Sequence, residues 1–126
     1  MSGANFEAIG SEVKFEGGIV RAGSERFRYP DGNEVTRDKI WHPGAVGILA
    51  VDDEYVWLTR QPREVIGAPD SLEIPAGKLD VPGERIEIVP WPLVGLDEAI
   101  EQCEDSKSLI ALLWLAGQRR LAYGVA

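Results

Sequence analysis

Residues 72–84 read LEIPAGKLDVPGE, and this stretch separates a first half rich in strand patterns from a last third rich in helical ones. A short strand is predicted at Ser71–Ile74, and Pro75-Ala76-Gly77 ends it. These small residues let the backbone approach a ligand and leave carbonyl oxygens unpaired, and Glu84 follows one loop later. The pattern is typical of one half of a site that binds magnesium and phosphate. A Gly- and Pro-rich connection that binds no ligand has the same composition.

The residues before this stretch predict a β meander, because apolar and charged residues alternate and turn residues separate the segments. Pro30-Asp31-Gly32-Asn33 is the strongest turn. Strands are predicted around Val13 and Phe15, and at Ile19–Tyr29, Glu34–Trp41, Ala45–Val51 (one continuous apolar strand) and Tyr55–Thr59. Most of Arg60–Glu84 is predicted to be loop around the strand at Ser71–Ile74, and a last strand follows at Arg85–Val89.

The residues after this stretch predict two helices. The first has one apolar face, made by Leu96, Ala99, Ile100 and Cys103, with Asp97 placed to cap it. The second runs from Ser106 to about Arg120, with Asp105 or Ser106 as its cap. Its predicted core face consists of Leu109, Leu112, Leu113 and Ala116. Because strands come first and helices last, the sequence predicts an α+β protein.

Composition excludes several classes of function. A chain of 126 residues is expected to form one domain, and a net charge of −8 disfavours binding to nucleic acid. One cysteine and one histidine cannot build a usual zinc site, so any metal would be a hard cation such as Mg²⁺ or Mn²⁺. The longest apolar run, Leu109–Gly117, is too short to cross a bilayer and the N-terminus has no signal core, so no membrane association and a cytoplasmic location are expected.

Several segments, in order along the chain, resemble the Nudix hydrolases, and specifically their ADP-ribose pyrophosphatase branch. The matching segments are Trp41-His42-Pro43-Gly44-Ala45-Val46, Arg60-Gln61-Pro62-Arg63, Leu72-Glu73-Ile74-Pro75-Ala76-Gly77, and a C-terminal run from Trp91-Pro92-Leu93 through Leu96-Asp97-Glu98-Ala99-Ile100 to Asp105-Ser106-Lys107-Ser108-Leu109. Taken together and in this order, these segments are more specific than any one motif.

The resemblance implies a single Nudix-like domain over residues 1–126, with a truncated mixed sheet. Its parts are an N-terminal antiparallel β subdomain for dimerisation at 12–42, core strands and a residual Nudix loop at 43–90, and C-terminal helices at 96–120. Exposed strands that carry Phe15, Ile19, Val20 and Phe27 need covering, which independently favours a homodimer. Covering by the chain's own helices is the alternative, because apolar area alone does not distinguish the two.

The chain departs from the family pattern after Glu84. There the family continues into a helix that bears Arg-Glu-(apolar)-x-Glu-Glu-x-Gly, whereas this chain continues with Arg85-Ile86-Glu87-Ile88-Val89. Glutamates four residues apart share one helix face and can hold divalent cations against a diphosphate. The resemblance leaves two ligands for Mg²⁺ or Mn²⁺, the backbone carbonyl of Ala76 and the carboxylate of Glu84. By the same resemblance, Glu84 is the residual catalytic residue.

The resemblance also implies substrate-binding residues. Arg60 and Arg63 would grip phosphate oxygens, with surface ion pairing as the alternative. His42 would lie near the adenine, with a plain strand-end role as the alternative. Glu73 would orient the loop or a water, and otherwise would pair with Lys78.

Three hypotheses follow. The first is an enzyme that uses metal-activated water to split ADP-ribose, or a related nucleoside diphosphate sugar, into AMP and a sugar phosphate, impaired here because the glutamate helix is absent. The second is an inactive module, left by an internal deletion, that binds nucleotide or dimerises. The third is an incomplete version of a longer enzyme. The sequence leaves it undecided whether the chain is an enzyme.

Overall fold

The computed structural model describes residues 5–77 and 86–123. Residues 78–84 of the predicted loop, and the first residue of the predicted strand at Arg85–Val89, lie outside the described residues. The chain divides into two compact units, Met1–Gly44 and Ala45–Ala126. In the parts of both units that are described, strands precede two helices, which confirms the α+β class.

The N-terminal unit is an antiparallel sheet in the order β1-β2-β3. Its strands are β1 (Glu7–Glu16), β2 (Arg21–Arg28) and β3 (Glu34–Trp41). The predicted turn joins the last two, where Gly32 has a φ of 90° and its N–H donates to the carbonyl of Tyr29 at 2.9 Å. Gly23 lies where β2 approaches β1 so closely that a Cβ would come within 1.9 Å of the carbonyl oxygen of Glu12.

The sheet of the C-terminal unit is built around one strand. Its strands are β4 (Val46–Gly47), β5 (Ala50–Val51), β6 (Tyr55–Arg63), β7 (Ala68–Glu73), β8 (Ala76–Gly77) and β9 (Glu87–Pro92). Strand β9 pairs with β6 over Tyr55–Arg60, while β5 pairs with the start of β6 and β7 with its end. Because β9 occupies one side of β6, β5 and β7 share the other side. A separate ladder pairs β4 with β8.

Two strand predictions were wrong. Ala45–Val51 is not one strand, because its two ends pair with different partners; between them Ile48 remains 51% exposed. The predicted loop after Thr59 is instead a hairpin, in which β6 continues to Arg63 and β7 begins at Ala68. Pro62 is tolerated because the register shifts between Gln61 and Arg63, where the ladder has an irregularity.

The last strand also differs from the prediction. Strand β9 extends through Pro90 to Pro92, although these prolines were expected to end it at Val89. Among the described residues β9 pairs with β6 alone, so it is an edge strand, the kind of strand in which proline is tolerated.

Two helices pack on the sheet: α1 (Leu96–Gln102) and α2 (Ser106–Tyr123). Both contribute to the buried core, which consists of Val56, Leu58, Leu72, Ile74, Leu93, Leu96, Ala99, Leu112, Leu115 and Ala116. In the part of the chain that the structure describes, neither helix has the length and apolar character needed to span a membrane.

The helix caps were predicted in part. Asp97 does not cap α1, because the helix begins at Leu96 and places Asp97 inside its first turn. Asp105 does cap α2: its Oδ2 accepts the backbone N–H of Ser108 at 3.0 Å.

The core face of α2 is rotated from the prediction. Its buried residues are Ser108, Leu112, Leu115 and Ala116, while Leu113 is 52% exposed. The cause is Ser108, whose hydroxyl accepts the backbone N–H of Ile74 at 2.8 Å and turns its own side of the helix toward the sheet.

Candidate functional site

The site is centred on a buried carboxylate at the end of β7. Glu73 is 1% exposed, and Arg63 at the end of the neighbouring strand β6 donates two hydrogen bonds to it. Nε of Arg63 lies 2.7 Å from Oε2 of Glu73, and Nη2 lies 2.7 Å from Oε1. This bidentate arrangement fixes the plane of the guanidinium. The hairpin between the two strands therefore determines where Arg63 is held.

The first turn of α2 supplies a second cation to the same carboxylate. Nζ of Lys107 lies 3.0 Å from Oε1 of Glu73 and 2.7 Å from Oδ2 of Asp105. Asp105 also accepts the hydroxyl of Ser108 at 2.5 Å, and that hydroxyl accepts the N–H of Ile74. The network thus joins the start of the helix to the strand that carries Glu73.

The network holds its members in their charged forms. Burial raises the pKa of Glu73, but hydrogen bonds from Arg63 and Lys107 outweigh it and lower the pKa from 4.5 to about 2. Burial also opposes the charged forms of Asp105 and Lys107. Their hydrogen bonds outweigh this effect, so the pKa of Asp105 is lowered and the pKa of Lys107 is raised. Two carboxylates and two cations are therefore all ionised at neutral pH.

A cavity of about 530 Å³ opens beside this network. Its walls are mostly apolar and include Trp57, Ile86 and Ile88, whereas Arg63 and Lys107 give it a cationic end. An apolar cavity with a few convergent polar groups is the usual form of a small-molecule site. The arrangement suits a ligand that has an apolar or aromatic part and an anionic part.

The structure separates the residues predicted to bind substrate. Arg63, Glu73 and Ala76 lie together, with Arg63 and Ala76 lining the cavity. Arg60 instead donates to Asp70 at 3.4 Å and to the amide oxygen of Gln102 at 3.2 Å, and it does not line this cavity.

The other predicted residues are in the N-terminal unit, outside the described residues, or paired differently from the prediction. His42 belongs to the N-terminal unit, where its Nδ1 accepts the N–H of Gly44 at 2.9 Å. Glu84 lies outside the described residues, as does Lys78. Glu73 pairs with Arg63 and Lys107, partners that the sequence did not indicate.

The residues described here do not fit a divalent cation. Over 5–77 and 86–123, no group of three or more His, Cys, Asp or Glu side chains is placed to hold one. The two carboxylates of the network, Glu73 and Asp105, already accept hydrogen bonds from ammonium, guanidinium or hydroxyl groups. Of the predicted metal ligands, only the Ala76 carbonyl belongs to a described residue.

Sequence reasoning missed Lys107 as a member of the site. A lysine at the second position of a helix is disfavoured, because the N-terminal end of the helix dipole is positive. That local conflict was the available signal, since a residue that opposes its own helix usually has a partner or a role elsewhere in the fold.

Comparison with known proteins finds curated relatives that match part of the chain. No family model matches the chain. It is 40% identical over 85 residues to the ADP-ribose pyrophosphatase of Mycobacterium tuberculosis, covering 67% of the chain and 41% of that protein. It is 36% identical over 75 residues to the ADP-ribose pyrophosphatase of Bacillus subtilis, and this match covers 59% of the chain and 40% of that protein. The chain is 32% identical over 75 residues to a methanol dehydrogenase activator of Bacillus methanolicus, and this match covers 59% of the chain and 40% of that protein. The chain thus spans about two fifths of the curated relatives it matches.

A solved structure supports the fold. The chain matches the crystal structure of an ADP compounds hydrolase with a TM-score of 0.69 and 14% identity, covering 100% of both chains. At this identity the likeness concerns the fold alone. The sequence matches support a relationship to the ADP-ribose pyrophosphatases, and the structural likeness supports the fold.

Proposed function

We propose that the protein acts on ADP-ribose or a related nucleoside diphosphate sugar, and that the reaction is hydrolysis of the diphosphate to AMP and a sugar phosphate. One observation carries the proposal: the cationic end of an otherwise apolar cavity, held in place by a buried carboxylate, in a relative of proteins named ADP-ribose pyrophosphatase. A nucleoside diphosphate sugar has the matching chemistry, because it joins an aromatic base to two phosphates.

Arg63 is the residue that would bind phosphate. Its guanidinium is 41% exposed and borders the cavity, while Glu73 behind it is buried. A guanidinium that is already fixed loses little conformational freedom when it binds an anion. Trp57 on the cavity wall offers an aromatic surface to the base.

The resemblance to Nudix enzymes implies Mg²⁺ or Mn²⁺ as cofactor. Such a cation would polarise the diphosphate and activate water. Since the described residues do not fit the cation, they account for binding of the substrate and for none of the metal chemistry. Glu84 and the Ala76 carbonyl remain the proposed ligands.

The same observation favours a second candidate function, a module that binds the nucleotide without hydrolysing it. In such a module Glu73 and Asp105 would serve only to hold the cations. Binding would then be independent of magnesium, and no AMP would form.

Calorimetry and product analysis separate the two candidates. Wild-type protein is titrated with ADP-ribose with and without Mg²⁺, and the mixtures are analysed for AMP. AMP that forms only with Mg²⁺ supports the hydrolase; binding without AMP supports the module. Neither binding nor AMP at high protein concentration would refute both.

A variant tests the role of Arg63 in this binding. Arg63→Lys keeps the charge but loses the bidentate geometry, so we expect about tenfold weaker binding of ADP-ribose. Arg120→Lys is the matched control, because Arg120 is exposed and does not line this cavity. Equal losses in both variants would contradict the assignment.

We also propose that the protein is a homodimer formed through the N-terminal sheet. Phe15 is 58% exposed and Ile40 is 68% exposed on that sheet, and apolar strands of this kind need covering. Sedimentation equilibrium should give twice the chain mass for the wild type and a smaller mass for Phe15→Ser. A monomeric wild type would refute the proposal.

A further inference from the structure

Lys107 is held more firmly than a surface lysine. Its side chain is 36% exposed, and its ammonium lies within 3.0 Å of two carboxylates on different elements, Glu73 on β7 and Asp105 before α2. The position costs energy twice, because the helix dipole opposes a cation there and burial opposes the charge. The contacts with both carboxylates offset these costs and keep the ammonium charged.

The ammonium has one donor left for a ligand. It carries three N–H groups, and Glu73 and Asp105 accept two of them. Within the residues that the structure describes, no other group accepts a hydrogen bond from Lys107. Lys107 also lines the same cavity as Arg63. The chain therefore presents two fixed cations to one space, from a strand end and from a helix start.

We infer that Lys107 is a second phosphate-binding residue, whose ammonium and the Arg63 guanidinium bind the diphosphate of the substrate together at the cationic end of the cavity. Glu73 and Asp105 act as positioning residues that hold the ammonium. This inference rests on the proposed function, and it assigns the two phosphates, rather than the base or the sugar, to that end.

The assignment follows from charge and geometry. Among the contacts of the described residues, two carboxylates accept hydrogen bonds from the two cations, so a ligand oxygen gains a new contact where an N–H group of either cation faces the cavity. Glu73 is buried behind Arg63, which leaves the cations nearer to the open space. Because both cations are already fixed, binding a phosphate oxygen costs little conformational entropy.

The test measures three probes on three proteins. ADP-ribose, inorganic pyrophosphate and adenosine are titrated calorimetrically into the wild type, Lys107→Met and Lys14→Met. Lys14 is the matched control, because it is an exposed lysine on β1. We expect Lys107→Met to weaken ADP-ribose and pyrophosphate binding about tenfold or more, since a charge-assisted hydrogen bond is lost, and to leave adenosine binding unchanged. Lys14→Met should match the wild type for all three probes.

The outcomes separate this inference from the proposed function. If the wild type binds ADP-ribose and Lys107→Met binds it equally well, the role of Lys107 is overturned while the function stands. If the wild type binds pyrophosphate but not ADP-ribose, the proposed function is refuted, and the affinity of Lys107→Met for pyrophosphate then tests the role of Lys107. If it binds neither, both are overturned. Lys107→Gln, which keeps a donor for Glu73, replaces the methionine variant should circular dichroism show that the latter is unfolded. An equal loss for adenosine would show a structural role and overturn the inference.

Discussion

Replacing Glu73 with glutamine removes the charge at the centre of the network while keeping the size of the side chain. In the fold the pKa of Glu73 is lowered from 4.5 to about 2, because the cations of Arg63 and Lys107 outweigh the effect of burial. One pKa unit corresponds to about 1.4 kcal/mol, so this lowering stabilises the fold by about 3 to 4 kcal/mol when Glu73 is ionised. We expect Glu73→Gln to lower the free energy of unfolding by about this amount at pH 7.

The pH dependence provides the sharper part of this prediction. A carboxylate whose pKa is lowered by folding stabilises the fold above its unfolded pKa, and that stability is lost as the pH falls through the folded pKa. The difference between wild type and Glu73→Gln should therefore be constant above about pH 5 and shrink between pH 4.5 and pH 2. Acidic groups outside this network titrate alike in both proteins and cancel in the difference.

Urea unfolding, followed by tryptophan fluorescence and far-UV circular dichroism at several pH values, measures the difference. Glu34→Gln is the control, because Glu34 forms an exposed ion pair with Arg28, whose loss should cost at most about 1 kcal/mol. A difference for Glu73→Gln below about 1 kcal/mol at pH 7, or one that is the same at pH 3 and pH 7, would refute the reasoning.

Two further substitutions test the fold. Ser108→Ala leaves the buried N–H of Ile74 without its acceptor, so the free energy of unfolding should fall by about 1 to 3 kcal/mol; a urea midpoint equal to that of the wild type would contradict this. Gly23→Ala would place a Cβ 1.9 Å from the carbonyl oxygen of Glu12, so the β1–β2 pairing should be lost, as measured by hydrogen exchange over residues 7–28. Gly18→Ala is its control, because a Cβ there meets nothing within 4 Å, and equal protection of the amides in both variants would show the prediction to be wrong.

Some features of this protein depend on neighbours in the sequence, and these could be predicted. The Pro30-Asp31-Gly32-Asn33 turn and the apolar face of α1 are set by residues within one turn or one helical repeat of each other. The cap of α2 by Asp105 is equally local. The segments that resemble the Nudix family also predicted the α+β class, which the structure confirms.

The tertiary structure alone decided the partners of Glu73 and the strand at the centre of the sheet. Glu73 meets Arg63 across a hairpin and Lys107 across 34 residues, a pairing that no local pattern encodes. The centre of the sheet is β6 rather than the apolar segment at Ala45–Val51, because a strand becomes central by finding partners on both sides and not by being apolar. Sequence periodicity determines which way a side chain can point along its own element, whereas the group that it meets depends on how distant elements pack.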